Sequence, residues 1–467
     1  MATIINTKLG ENRGRKRVYI EGRKLAREGY TAGMKFDLEV KGTEVLLSAS
    51  DEGRFTVSKR TRNGDVMPII DLTTKEIAEV FDGVEMLRVA ISKGKIVISA
   101  HEQHNQVKER VARLLGKLEA GENLATASLF HGGGVIDSSI HHGLAGAGVK
   151  SKIAVAIEIE GKFIDSSLRN NPELWDDESV VIESPIQSVL MNRNPKPVEI
   201  LVAGIPCTGA SIAGKSANGL EFAESHSTAG ALFFSTLQLI QVLNPAVVLL
   251  ENVVPYAKTA SMEVIRSVLS NLGYVIQERI LGGNEFGALE NRKRLCVVAI
   301  SKGIEGFDIN DVLPERVKEA TISEILEELP LDSPRWKAFE YGAAKDKRDK
   351  AAGKGFARQM LKGDEPNCSV LGFGYAKCRS SEPYMVHPEN DALARIFTPL
   401  EHCRLKGVPA KMIEGLADTT AHQILGQSVI YPAFFAVAKQ LGTSLAAWCR
   451  LARQVVQPAE CQFELAA

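Results

Sequence analysis

The sequence lacks the features that would place it in several common classes of protein. Its seven cysteines include no Cys-x-x-Cys pair, so thioredoxin-like redox sites and zinc ribbons lose their usual support. Its longest apolar stretch, near VIYPAFFAVA, is far short of the roughly 18 residues that a membrane-spanning helix needs. The first residues, MATIINTKLGENRGRKR, contain no apolar segment of a secretory signal. We therefore expect a cytoplasmic protein with free thiols and no membrane partner.

Positive and negative charges nearly cancel over the whole chain, but positive residues are concentrated in two segments. The net charge is −1 over 467 residues, so the chain as a whole is not a polycation. Residues 1–35, however, contain nine Lys and Arg against three Asp and Glu, and residues 343–362 contain seven against two. Such clusters supply phosphate contacts in proteins that bind nucleic acids. A solvated surface explains them as well, and charge alone favours that second interpretation.

Strand and helix patterns divide the chain into segments. Short alternating β runs, ending in the hairpin signal LRVAIS-KGK-IVISA, are followed by an amphipathic helix and then by apolar strands that alternate with amphipathic helices. Such alternation is typical of an α/β fold with a largely parallel sheet that helices cover on both faces. It stops near residue 301, where a helix-like TISEILEELP precedes loops rich in Gly, Lys and Arg. We predict a small β-rich domain (1–104), a linker helix (105–122), a main domain (123–300), an inserted smaller domain (301–394), a return to the main domain (395–450) and a C-terminal tail (451–467).

A glycine cluster follows the first strand of the main domain. SLFHGGG leads from that strand into the helix-like VIDSSIHHGL, and Glu158 ends the next strand. Backbone at such a turn approaches a ligand closely at the carboxyl edge of a parallel sheet. A carboxylate at the end of the next strand suits hydrogen bonds to ribose hydroxyls, although an exposed strand-end acid needs no ligand. The pattern favours a cofactor that contains a nucleoside.

Cys207 lies in the turn after a later strand, in LVAGIPCTGAS. A buried inert cysteine, a metal ligand, a redox partner and a nucleophile are the alternatives for this thiol. The zinc deaminase pattern P-C-x-x-C is excluded because Ala210 stands at the second cysteine position. The next strand ends in LENV, so Glu251 and Asn252 are expected at the same sheet edge. A carboxylate would raise the pKa of a neighbouring thiol, which favours a role for Glu251 on the substrate.

Together these segments resemble the DNA cytosine-5 methyltransferase family, in the family's own order over residues 124–445. FHGGG matches its F-x-G-x-G motif, IPCTGAS its P-C-x-x-x-S loop and ENV its E-N-V motif. ENRKR, residues 290–294, stands where the family has Q-x-R-x-R. RIFTPLEHCRLKGVP matches R-x-L-T-x-x-E-x-x-R-L-x-G-F-P, and LGQSV matches the final G-N-S-V motif. The resemblance implies a Rossmann-like methyltransferase fold that uses S-adenosylmethionine, with a target recognition domain in residues 301–394.

The resemblance also implies a reaction and a set of site residues. A methyl group would pass from S-adenosylmethionine to carbon 5 of a flipped-out cytosine in specific sequences of double-stranded DNA. Cys207 would add to carbon 6, Glu251 would hold the ring N3 and the exocyclic amine, and Arg292 and Arg294 would hold the base carbonyl and order the catalytic loop. No metal is implied. The implied cofactor-binding residues are Phe130, Gly132, Gly134, Glu158, Pro206, Gln427 and Ser428, and the implied supporting residues are Ser211 and Asn252.

Three residues depart from the family pattern. Glu290 replaces Gln in Q-x-R-x-R, Gln427 replaces Asn in G-N-S-V, and His131 brings a titratable side chain into the first motif. The change at Gln427 leaves open a transferase that uses a modified donor. An RNA cytosine-5 methyltransferase and a DNA-binding regulatory protein are further alternatives. The long insert and the basic N-terminal segment favour DNA over RNA, and the intact Cys207 and Glu251 favour an enzyme.

The N-terminal segment carries a second resemblance. VYIEGRKLAREGYTAGMKFDLEVKGTEVLL is similar to the small SymE/AbrB-like β-hairpin domains, which are usually nucleic-acid binders. Packing or dimerisation explains a small β domain equally well. A dimer formed through this domain and a cognate restriction enzyme are therefore the candidate partners besides DNA.

Overall fold

The computed structural model describes residues 2–456, apart from residues 63, 190–194, 207–223, 225–229, 352, 354–357 and 380. The chain separates into two units, residues 1–109 and 110–467. The point of division falls inside a helix, Glu102–Ala120. No helix in the described part of the chain is long and apolar enough to cross a membrane.

Antiparallel sheets make up the first unit. Its described residues form a six-stranded and a four-stranded sheet with two short helices. The elements in chain order are β1 (Ala2–Lys8), β2 (Gly10–Asn12), β3 (Arg15–Glu21), α1 (Arg23–Arg27), β4 (Lys35–Lys41), β5 (Glu44–Ala49), β6 (Phe55–Thr56), β7 (Ser58–Arg62), β8 (Asp65–Leu72), α2 (Lys75–Val80), β9 (Met86–Ser92) and β10 (Lys95–Ala100).

This unit is an internal duplication. Strands β1 to β5 with α1 have the same order as β6 to β10 with α2, and β4 and β9 have seven residues each while β5 and β10 have six. The strand orders of the two sheets are symmetric: exchanging each strand with its counterpart in the other half reverses each order. The orders are β1-β9-β10-β5-β4-β6 and β2-β3-β8-β7. Across the halves, Leu46 pairs with Val97 and Tyr19 with Asp71. The two halves are therefore related by an approximate two-fold axis and share one core.

The second unit begins inside α3 (Glu102–Ala120). Arg110 anchors this helix, because its guanidinium is 1% exposed and donates to Ser301 Oγ at 2.8 Å, Leu272 O at 2.8 Å and Gly273 O at 3.0 Å. The following elements are β11 (Leu124–Leu129), α4 (Val135–Gly146), β12 (Ser151–Glu158), α5 (Gly161–Asn170), β13 (Val180–Glu183), β14 (Ile200–Gly204), α6 (Leu232–Leu243), β15 (Val247–Asn252), α7 (Ala260–Asn271), β16 (Tyr274–Gly282) and β17 (Lys293–Ser301).

These strands form one seven-stranded sheet in the order β13-β12-β11-β14-β15-β17-β16. Its first five strands are parallel, and β17 runs antiparallel to both of its neighbours. Side chains along β14 alternate between two cores: Val202 joins the cluster that contains Leu144 of α4, whereas Leu201 joins the one that contains Ile240 of α6. Both faces of the sheet are thus covered, which confirms the predicted mostly parallel α/β fold.

The chain then leaves the main sheet and returns to it. It forms α8 (Glu340–Ala351), β18 (Gln359–Leu361), β19 (Pro383–His387) and β20 (Asn390–Arg395), whose strands make a small sheet with a separate apolar cluster around Tyr375. It returns through α9 (Pro399–Lys406), α10 (Asp418–Gln427) and α11 (Tyr431–Val456). Helix α11 packs against α4, where Phe434 and Leu144 share a core cluster. The individual segment boundaries proposed from the sequence remain predictions.

Candidate active site

The turn between β11 and α4 brings backbone rather than side chains to the carboxyl edge of the sheet. Phe130 and Gly132 have positive φ values of 58° and 57°, and Gly134, just before α4, has 75°. A Cβ at Gly133 would lie 2.5 Å from Ile424 Cγ2, and one at Gly134 would lie 2.5 Å from Ser167 Oγ. Side chains therefore have no room at either position, and the turn keeps its N–H groups close to the sheet edge.

Glu158, the last residue of β12, fixes this turn. Its Oε2 accepts a hydrogen bond from the Gly132 N–H at 2.7 Å, and its Oε1 accepts from Ile159 N at 2.9 Å and Glu160 N at 3.0 Å. The carboxylate thus lies beside the glycine turn, at the position predicted for an acceptor of ribose hydroxyls. In the structure it organises two neighbouring loops through their backbone.

His131 points into the protein rather than toward the sheet edge. It is 3% exposed, and its Nδ1 lies 2.9 Å from Ser128 Oγ and 3.1 Å from Asp137 Oδ2, while its Nε2 lies 2.8 Å from Ser167 Oγ. The ring also contacts Trp175 edge to face at 5.3 Å between centroids. This departure from the family motif therefore braces the glycine turn from behind.

The ends of β14 and β15 place Glu251 and Asn252 next to Gly204 and Ile205, just before the segment predicted to carry the nucleophile. A Cβ at Gly204 would lie 3.5 Å from Glu251 Oε2, so the carboxylate stands over the end of β14. Asn252 Nδ2 donates to Ile205 O at 3.1 Å, and Asn252 Oδ1 accepts from Val253 N at 2.8 Å. Pro206 follows and is exposed. Cys207 and Ser211 lie outside the described residues.

Arginine side chains complete this edge. Arg294, on β17, donates from Nε to Glu251 Oε1 at 2.7 Å, and the two side chains are 15% and 12% exposed. Strand pairing sets the contact, because β15 and β17 lie side by side with Glu251 opposite Cys296. Arg292 is 3% exposed and donates from Nη2 to Gly426 O at 3.1 Å. Arg294 therefore meets the predicted base-binding carboxylate, whereas Arg292 holds the backbone before Gln427.

The last motif meets the first one at the glycine turn. Gln427 ends α10 and is exposed, and its Nε2 lies 3.3 Å from the position of a Cβ at Gly132. Ser428 is 9% exposed, and its Oγ donates to Leu425 O at 2.8 Å. Two sequence motifs that are far apart in the chain thus lie together at one edge of the sheet.

Four of the five described cysteines have raised pKa values, which makes them poor nucleophiles. Burial raises the pKa of the Cys296 thiol far above its usual value, with the Glu251 carboxylate adding to the shift. Burial raises the pKa of Cys368 and Cys378 and brings that of Cys403 to about 12. A protonated thiol does not add to a pyrimidine ring, because the thiolate is the reactive form. In the described part of the chain, no group of three or more His, Cys, Asp or Glu side chains is arranged to hold a metal ion.

Lys406 is a feature of this region that the sequence reasoning missed. It ends α9 with 0% exposure, and its Nζ lies 3.5 Å from Glu290 Oε2. The signal was present as a basic residue in RLKGVP and an acidic residue in ENRKR, both inside motifs. Only the acidic departure was recognised, because nothing local to either motif indicates that the two side chains meet.

Comparison with known proteins identifies the family of this chain. A family model described as C-5 cytosine-specific DNA methylase matches residues 124–443. The chain therefore belongs to the family of DNA cytosine-5 methyltransferases, and the resemblance drawn from its motifs is confirmed. No comparison bears on the SymE/AbrB-like resemblance of the N-terminal segment, which stays a prediction.

Among curated relatives, the chain is 30% identical over 258 residues to the type II methyltransferase M.NlaX of Neisseria lactamica. That alignment covers 53% of this chain and 77% of M.NlaX. It is 28% identical over 256 residues to the type II methyltransferase M.SsoII of Shigella sonnei, and that alignment covers 53% of this chain and 64% of M.SsoII. Among solved structures, the Dnmt2 methyltransferase of S. pombe aligns with a TM-score of 0.51 at 18% identity, over 71% of this chain and 99% of that chain. The structural match concerns the fold alone.

Proposed function

We propose that the protein transfers a methyl group from S-adenosylmethionine to carbon 5 of cytosine in double-stranded DNA. The observation that carries the proposal is the meeting of the glycine turn, the Glu251–Arg294 ion pair and the Gln427 loop at one carboxyl edge of a parallel sheet. Ligands of open α/β sheets bind at this edge. Family membership supports the class of reaction.

The glycine turn fits a sulfonium nucleoside as cofactor. Gly132 exposes backbone at the edge, and Glu158 stands beside it with carboxylate oxygens that can accept from ribose hydroxyls in addition to the N–H groups that they already bind. We assign Phe130, Gly132, Gly134, Glu158, Pro206, Gln427 and Ser428 to this pocket. When bound, the cofactor supplies an electrophilic methyl group.

The chemistry of cytosine requires a nucleophile and a group that holds the ring. We assign the thiolate addition at carbon 6 to Cys207, which makes carbon 5 electron-rich. Glu251 holds the N3 edge and the exocyclic amine, and Arg294 keeps that carboxylate oriented through the Nε–Oε1 contact of 2.7 Å. After transfer, loss of the carbon 5 proton and of the thiol releases 5-methylcytosine. Asn252 and Ser211 are assigned to supporting the nucleophile loop.

DNA is the substrate that we propose, with the target sequence read by residues 301–394. The small sheet β18-β19-β20 lies outside the main sheet, and the apolar residues of this segment share one cluster with Leu289, Phe397 and Leu405. Since the target base is inaccessible inside a duplex, the reaction requires base flipping. RNA as substrate and a modified donor are the alternatives that the experiment must separate.

The test is mass spectrometry of nucleosides from unmodified DNA, and separately from RNA, after incubation with S-adenosylmethionine. Wild-type protein should form 5-methylcytosine in DNA, Cys207→Ala should form none, and the matched control Cys378→Ala should retain activity. Product in RNA alone would overturn the choice of substrate. The absence of product with S-adenosylmethionine, together with a cytosine adduct of different mass in cell extract, would overturn the choice of donor.

A further inference from the structure

A buried cluster of opposite charges lies between two motifs of the candidate site. Glu290, Arg292 and Lys406 are 0%, 3% and 0% exposed. Glu290 Oε2 lies 3.5 Å from Lys406 Nζ, and Glu290 Oε1 lies 3.4 Å from Arg292 Nη1. An unpaired buried charge is strongly unfavourable, so the removal of one member leaves the others in an environment that they do not tolerate.

The two cations of this cluster hold one short stretch of backbone. Lys406 Nζ donates to Leu425 O and, at 3.2 Å, to Ser428 O. Arg292 Nη2 donates to Gly426 O at 3.1 Å. These donated hydrogen bonds fix the carbonyl groups on both sides of Gln427.

The fixed stretch touches the glycine turn. Gln427 Nε2 lies 3.3 Å from the position of a Cβ at Gly132, and a Cβ at Gly426 would lie 2.2 Å from Gly372 O. Backbone at Gly426 is therefore packed tightly on one side, while the Gln427 side chain reaches the candidate cofactor pocket on the other. A shift of this stretch would be transmitted to the pocket, because packed backbone does not deform freely.

We propose that Lys406 is a positioning residue for the cofactor pocket, which it serves by pairing with Glu290 and fixing residues 425–428 so that Gln427 lies against the glycine turn. The inference rests on the proposed function, in which that pocket takes S-adenosylmethionine. Glu290 is then one half of a charge pair that replaces the uncharged Gln of the family motif, and Lys406 is the other half. Because Lys406 is fully buried, it acts through the backbone and not on substrate.

The test is a double-mutant cycle with Lys406→Met, Glu290→Gln and the variant that carries both changes. Lys439→Met is the matched control, since Lys439 forms a partly exposed ion pair with Glu315 at 2.6 Å in the same unit. For each protein, the KM for S-adenosylmethionine and the KM for DNA are measured separately, together with the Kd for S-adenosylhomocysteine.

Lys406→Met should raise the KM for S-adenosylmethionine and the Kd for S-adenosylhomocysteine about tenfold or more, as displaced binding groups do. Its KM for DNA should stay within about twofold, the change expected of a group that does not touch DNA. The double variant should bind the cofactor as weakly as Lys406→Met, because neither chain has the Nζ donor that holds Leu425 O and Ser428 O, and Lys439→Met should match wild type.

The inference is overturned if the double variant recovers wild-type affinity for the cofactor, or if the two KM values rise together. It is also overturned if Lys406→Met binds like wild type. A wild-type protein that neither binds S-adenosylhomocysteine nor methylates DNA would contradict the proposed function as well, so the two failures are distinguishable.

Discussion

The two units differ in how much charge they bury. In the described part of residues 1–109, the buried polar side chains are Thr3 and Glu28, which bond to each other at 2.6 Å. In residues 110–467 the buried charged residues include Glu199, Glu290, Arg292, Arg395, Glu401 and Lys406. The described part of the first unit thus buries a single carboxylate in an otherwise apolar core, whereas the second unit buries several charged groups of both signs.

This difference distinguishes the unit that contains the candidate site from the unit that does not. Burying a charge costs several kcal/mol by the usual order of magnitude, so it persists where position matters more than stability. In the second unit several of these ions fix backbone: Glu401 bonds Arg395 at 2.6 Å and caps α9 through the Thr398 N–H at 2.8 Å, and Lys406 holds Leu425 O and Ser428 O beside the candidate site. In the described part of the first unit the only buried carboxylate is Glu28, which accepts from Thr3, and the two halves complete one another's sheets.

Sequence predicted the second unit better than the first. Apolar strands and amphipathic helices have local signatures, so the parallel sheet and the grouping of its motifs were accessible without coordinates. The internal duplication was not, because strands such as KFDLEVK and MLRVAIS share their length but no residue at any matched position. The Glu290–Lys406 pair was equally hidden, since it joins segments that are distant in the chain.

One helix prediction was wrong for a physical reason. TISEILEELP forms only a 3₁₀ turn, Ile322–Ile325. The Glu327 N–H, which a longer helix would use internally, donates to the buried Glu401 Oε1 at 2.9 Å. A tertiary hydrogen bond thus competed successfully with local helical propensity. Buried ions again determined the local structure of the second unit.

The largest effect that separates the units should come from the Glu251 carboxylate. Glu251→Gln keeps an acceptor for Arg294 but loses the charge that holds the ring, so kcat should fall about 100-fold or more. Glu278→Gln is the control, because Glu278 pairs with Arg266 at 2.6 Å in the same sheet. Single-turnover methylation of DNA is the measurement. Equal rates for the two variants would remove Glu251 from the site.

Arg110→Met should destabilise the second unit strongly. The change leaves Ser301 Oγ and two carbonyl groups without their donor, which should cost about 3 kcal/mol. Urea unfolding followed by tryptophan fluorescence reports this unit specifically, since Trp175, Trp336 and Trp448 all lie within it. Glu28→Gln in the first unit should leave the same transition unchanged. A matching loss in that control would mean that the units do not unfold separately.

Stability of the second unit should depend on pH through Lys406. Burial, and then Arg292, lower the pKa of Lys406 from 10.5 to about 7, while Glu290 opposes the shift. Between these values the folded state has lost a proton that the unfolded chain still binds, so the free energy of unfolding rises with pH by at most about 1.4 kcal/mol per unit. Arg294, His402 and Cys368 also face this group.

Urea unfolding of wild type and Lys406→Met at pH 7, 8 and 9 should show wild type gaining stability relative to the variant. Parallel curves would contradict the assignment.

The smallest effect should come from removal of the first unit. A chain without residues 1–101 keeps α3 complete and with it the Arg110 anchor. Its kcat on DNA should stay within about threefold of wild type, because the assigned catalytic groups are all in the second unit. A larger loss, or a changed sequence preference, would make the first unit part of recognition.

Analytical ultracentrifugation of both chains should show monomers, since the strand pairing that a dimer would use is already made within one chain.

The most direct test of the central claim, that the carboxyl edge of the second unit adds a thiolate to cytosine, is covalent trapping. DNA that contains 5-fluorocytosine is incubated with S-adenosylmethionine and the protein, because fluorine at carbon 5 cannot leave as a proton would. We predict a complex that survives denaturing electrophoresis, with the nucleotide attached to the peptide that contains Cys207 and no complex for Cys207→Ala. A complex attached to any other residue, or none from a protein that methylates ordinary DNA, would contradict the account.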